Sequence, residues 1–238
     1  MLILFSAFQA AYLTLKNGGN PVACIVILFL PTVYSNYILS IRQGVALAFF
    51  LTGWFSKNNV TKFVLISLTP FIHTSFYISI FLLFLRRVAL KYPSYAYLNI
   101  VAFSTVCMLI IFLIPHIGVG LGVRQSETYA STAFEVVKGS GLGLIFWFLL
   151  LIVFLNQGKI FLHQNIFSTF CIIFYLLSYI FATPLARTLQ NHSILILISG
   201  LYLTGVNKKT FYCLINLFLA YTIFNAVNFG LISEFLQP

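Results

Sequence analysis

Few side chains in this sequence can do chemistry, and they fall in four short stretches. "SIRQGVA" sets Arg42 and Gln43 at the mouth of an apolar run. "SLTPFIHTS" carries His73 and Ser75 just beyond a proline. "RQSETY" combines Arg124, Glu127 and Tyr129, and "PLARTLQNH" brings Arg187 and Asn191 ahead of another apolar run. A guanidinium is a planar fork that grips phosphate or carboxylate through two hydrogen bonds, so Arg42, Arg124 and Arg187 suit an anion site. His73 and Glu127 are the groups able to take or give a proton near neutral pH. Arg187 and Asn191 share a face if their stretch is helical. Each stretch also has a plainer reading. Interfacial arginines snorkel to headgroups, a histidine beside a broken helix can be satisfied by a freed carbonyl, and a polar loop can simply be wet.

What is missing narrows the chemistry. There is no Asp, and the carboxylates are Glu127, Glu135 and Glu234. Hard cations want several carboxylates, so no metal site is expected. Cys24, Cys107, Cys171 and Cys213 lie far apart in apolar stretches without C-x-x-C spacing, as small buried apolar residues do. No nucleotide-binding or hydrolase motif occurs, so no cofactor is expected. An activated substrate would have to arrive on a lipid.

The elements that must position these residues are set by composition. The 238 residues are 61% hydrophobic and 7% charged, against about 25% charged in soluble domains. The expectation is an all-α, polytopic membrane protein: one transmembrane domain over 1–238, with about eight to nine membrane segments. The stretch 116–140 would be its principal extracytoplasmic loop. A net charge of +10 would suggest nucleic acid in a soluble chain. Here the basic residues stand singly or in pairs between apolar stretches, so they read as topology markers and no nucleic-acid partner is expected.

Charges mark segment ends because they cost several kcal/mol at the bilayer centre. If the run between Lys62 and Arg86 crosses once, the basic residues divide evenly between the two sides. If it enters and returns, Lys16, Lys57, Lys62, Arg86, Arg87, Lys91, Lys159, Lys208 and Lys209 share one side. Arg42, Arg124, Lys138 and Arg187 then share the other. The positive-inside rule favours the second arrangement, and Pro70 supplies a reason for the segment to break near Pro70–His73, as a re-entrant hairpin or a kinked pair of helices. The first side is mostly lysine and the outer side mostly arginine. Between Arg42 and Lys57 the chain covers only about 21 Å as helix. That draws Arg42 below the outer interface, where a charge usually faces a polar cavity.

The stretch from Ser35 to Leu85 resembles the EpsG-like branch of Wzy-type bacterial polysaccharide polymerases. Arg42-Gln43-Gly44-Val45-Ala46 matches an R-Q-x-x-A-like helix start. A lysine-bearing loop from Lys57 to Lys62 and the H-x-S element His73-Thr74-Ser75 follow. Arg124 to Tyr129 and Arg187 are similar to later family positions. The resemblance implies joining of oligosaccharide repeat units carried on undecaprenyl pyrophosphate, at the outer face of the bacterial inner membrane. The product would be an O antigen, capsule or exopolysaccharide. It implies partners of that pathway, a chain-length regulator and a flippase, beside membrane lipid. Family members carry further spans ahead of this block, so the chain would be N-terminally short or a compact member. In that scheme Arg42, Arg124 and Arg187 hold the diphosphate, His73 or Glu127 accepts the acceptor proton, and Gln43, Ser75, Tyr129 and Asn191 bind substrate. Two other activities suit the same residues. One is a membrane O-acyltransferase with His73 as base. The other is a lipid-linked oligosaccharide flippase, disfavoured by a single visible break, since transporters pair their broken helices.

Overall fold

The computed structural model describes residues 2–30, 33, 41–120, 141–181, 183–186 and 191–228, and among these there is helix and no strand. In chain order the helices are α1 (Leu2–Lys16), α2 (Pro21–Phe29), α3 (Ile41–Phe55), α4 (Asn59–Ile72), α5 (Phe76–Ala89) and α6 (Ala96–Gly120). Then come α7 (Leu142–Asn156), α8 (Lys159–Gln164), α9 (Ile166–Phe181), α10 (Thr183–Ala186), α11 (Ser193–Leu201) and α12 (Gly205–Asn228). The protein is all-α, as its composition leads one to expect.

Two apolar helices form the centre. α9 is surrounded by α5, α6, α7, α10 and α11, and all nine residues of α11 are buried. A helix apolar on every side is stable only when covered on every side. Around this centre the outward faces remain apolar: Phe63, Phe71, Phe84, Leu98, Val101, Phe148, Leu217 and Phe224 are all exposed. Cys24, Cys107 and Cys171 are buried as expected, whereas Cys213 is exposed.

Close approaches lock neighbouring helices. At Gly53 in α3 a Cβ would sit 2.9 Å from the Ile66 side chain of α4. At Gly200 in α11 it would sit 2.1 Å from the buried Phe211 ring of α12. Small residues at these contacts let the helix backbones approach closely.

The break expected near Pro70–His73 is present, but not at the proline. α4 continues to Ile72 with Pro70 inside it. Pro70 has no N–H for the Ile66 carbonyl four residues back. The Thr69 hydroxyl donates to that carbonyl instead, at 2.7 Å. The chain turns extended at His73, and α5 opens at Phe76. α9 ends at Phe181, the four-residue α10 contains Pro184, and the buried Asn191 and His192 stand at the head of α11.

Contacts across the helices sort the chain ends. Arg86, near the end of α5, stacks its guanidinium 4.9 Å from the Trp54 ring near the end of α3. Asn99 donates to the carbonyls of Ala89 and Tyr92, and Tyr97 to that of Leu155. Gln157 joins Thr204 and Asn207, and Tyr202 joins Asn17. Phe55, Gln164, Asn165 and Tyr202 line one cavity of about 180 Å³. So α4 and α5 leave one end of the molecule and return to it. Lys16, Lys57, Lys62, Arg86, Arg87, Lys91, Lys159, Lys208 and Lys209 all lie at or within about a turn of that end. Arg42 starts α3 at the opposite end.

By length and hydropathy, one helix among the described residues is long enough to cross a membrane, over Ala96–Leu113. Three shorter apolar helices are Asn59–Ile72, Leu142–Asn156 and Ile166–Phe181. Of the loop expected over 116–140, residues 116–120 are the end of α6 and 121–140 lie outside the described residues.

Candidate functional site

The head of α11 meets the α4–α5 junction. Arg42 and Gln43 from the first turn of α3, with Ile72, His73 and Thr74 from the α4–α5 junction, line an open pocket of about 420 Å³. Behind it runs a chain of polar side chains. The Gln43 amide donates to Oδ1 of Asn191. Asn191 Nδ2 donates to Ser75 Oγ at 2.6 Å. Ser75 Oγ lies 2.6 Å from Nδ1 of His73. Three separate parts of the chain thus supply one network, and Asn191 at its centre is fully buried.

Ser75 explains why the network holds. It precedes α5 at the N-cap position yet makes no side-chain cap bond there. Its hydroxyl is spent on Asn191 and His73 instead. Its backbone N–H also points at His73 Nδ1, at 3.4 Å. An N–H can only donate, so Nδ1 is the acceptor, and the neutral ring carries its proton on Nε2. Nδ1 is thus turned to Ser75, and His73 as a residue lines the pocket.

Deeper lies a residue the sequence reading gave no role. His192 is buried, with Nε2 2.7 Å from the Ser79 hydroxyl. Its ring lies against Phe50, Phe76 and Phe167, with centroids 5.3, 6.0 and 5.3 Å away. Its Nδ1 has no partner among the described residues. Its position directly after Asn191 was its sole signal in the sequence.

Of the expected site residues, Arg42, Gln43, His73, Ser75 and Asn191 come together. Arg124, Glu127, Tyr129 and Arg187 lie outside the described residues, as do all three carboxylates. Arg42 is exposed and half-buried Gln43 links inward, so the pair splits between pocket wall and network. Among the described residues no group of His, Cys, Asp or Glu could hold a metal ion.

An arginine and a histidine line this pocket with hydroxyls nearby, chemistry that suits an anion, and they stand at the end of the molecule opposite the lysine-rich one. No protein-family model matches the chain, and no characterised protein or solved structure matches it.

Proposed function

We propose that the chain is a multi-pass protein of the bacterial cytoplasmic membrane that joins oligosaccharide repeat units carried on undecaprenyl pyrophosphate. The observation that carries this reading is the pocket of Arg42, Gln43 and His73 at the end away from nine cations. By the positive-inside rule the nine face the cytoplasm and the pocket faces outward. The apolar outer surface supports about eight to nine membrane segments. Several helices are short for a straight crossing: α3 has 15 residues and α4 and α5 have 14 each. Short helices sink the pocket below the outer interface, where a guanidinium is less screened and grips a diphosphate more firmly.

In the reaction, the hydroxyl oxygen of the acceptor sugar attacks the anomeric carbon of the donor chain. The bond from that carbon to the phosphate oxygen breaks, and its electron pair leaves with the diphosphate. Arg42, joined by Arg124 and Arg187, neutralises the leaving charge. The hydroxyl proton passes to Glu127 or His73.

The test is glycan length in cells. Arg42→Ala, expressed at normal level, yields single repeat units in place of a ladder, and Arg42→Lys is also impaired, because a point charge does not replace the fork. A normal ladder from Arg42→Ala removes Arg42 from the mechanism. One observation favours a second reading. The interrupted helix at His73, facing the head of α11 at Asn191, is the kind of feature around which transporters bind cargo. A flippase predicts repeat units trapped at the inner face on deletion, whereas a polymerase predicts single units displayed outside.

A further inference from the structure

We propose that His73 acts through Nε2–H as a hydrogen-bond donor to the departing diphosphate, and that Ser75 and Asn191 are positioning residues that hold it in that form. The proposal rests on the polymerase reading for its substrate and on the polar network for its chemistry.

The Ser75 backbone N–H, which can only donate, selects between the two donor sets the side chains allow. Gln43 donates to Asn191 Oδ1, which directs the Asn191 amide nitrogen at Ser75 Oγ. Turning the Asn191 and Gln43 amides together would reverse the chain and ask His73 Nδ1 to donate to Ser75, which the Ser75 backbone N–H on that same nitrogen opposes. Ser75 Oγ, already accepting, sends its own hydrogen to His73 Nδ1. The Ser75 backbone N–H points at the same atom. Both donors favour a lone pair on Nδ1 and leave the ring proton on Nε2, and His73 and Arg42 line the same pocket. Accepting a proton needs a free lone pair, and this nitrogen has none. An N–H beside a guanidinium strengthens with the negative charge that grows on a leaving phosphate oxygen. The acceptor hydroxyl's proton then goes to Glu127, and His73 loses nothing in the step.

The first test reads the tautomer without reading activity. The full chain, labelled with ¹⁵N-histidine in lipid nanodiscs, is examined by NMR that separates protonated from unprotonated ring nitrogens. His73→Gln assigns the signal among the four histidines. The expected result is the Nε2–H form at neutral pH, with a rise in the Nδ1–H form in both Ser75→Ala and Asn191→Leu. An Nδ1–H form in the unaltered chain, or no change in either variant, overturns the proposal. The second test compares two side chains by glycan length. Gln places an amide donor near the Nε2 position, and Glu places a base there. His73→Gln keeps a shortened ladder, and His73→Glu gives single units only. The reverse order makes His73 the base and ends the proposal while the polymerase reading stands. If neither His73 variant nor Arg42→Ala changes glycan length, the polymerase reading falls and takes the role of His73 with it.

Discussion

At the scale of single residues, the site is built from side chains that trade local duties for distant ones. Ser75 gives up capping α5 to serve Asn191, 116 positions away. Gln43 reaches the same asparagine across 148 positions. The residue types were legible in "RQ", "HTS" and "QNH", because few other polar groups interrupt the apolar runs. Their bonds to one another were not, since nothing in local spacing encodes a partner a hundred positions off. His192 illustrates the cost of such groups. Its one hydrogen bond among the described residues is to Ser79, in a cage of three phenylalanines. Ser79→Ala leaves both ring nitrogens unpartnered in an apolar cage, which costs about 1–3 kcal/mol. Thermal unfolding in detergent checks it, and an unchanged midpoint rules out a structural role for that bond.

At the scale of elements, short helices and their breaks shape the pocket. Pro70 marked the neighbourhood of the break but not its place. The Thr69 hydroxyl satisfies the carbonyl that the proline leaves, so the helix runs on to Ile72. The stretch that brings Asn191 to the site carries a proline too, Pro184 in α10, yet it read as an ordinary approach to a span. Helix contacts are equally specific. The Phe211 ring covers Gly200 so closely that a methyl group there would stand 2.1 Å from it. Gly200→Ala forces the two helices apart and destabilises the protein by about 1–3 kcal/mol. Adding Phe211→Leu makes room, so the double variant is expected to unfold at a higher temperature than Gly200→Ala alone. If the second change only worsens stability, the overlap is not the cause.

At the scale of the whole molecule, charge is divided by end. Nine cations gather where α1, α3, α5, α7 and α11 finish, and where α4, α6, α8 and α12 begin. No acidic residue lies within the described residues to offset them. A membrane that holds the nine on its cytoplasmic side places Arg42 and Thr74 outside. Single cysteines at 62, 91 and 74, each in a chain freed of its four native cysteines, test this with a membrane-impermeant thiol reagent on intact spheroplasts. Positions 62 and 91 are protected alike and position 74 is labelled. Labelling of 62 or 91 without the other breaks the hairpin topology of α4 and α5.

The sequence by itself determined the helical class, because so apolar a chain leaves helices to satisfy its backbone. It also determined which few residues could do chemistry, because scarcity makes them visible. The charge count favoured a hairpin that returns to its own side, but only the tertiary structure decided that His73 and Ser75 at its turn meet Gln43 and Asn191. The physical reason is range: backbone satisfaction and side-chain type act within a few residues, whereas a hydrogen-bond partner is chosen by packing among helices far apart in the chain.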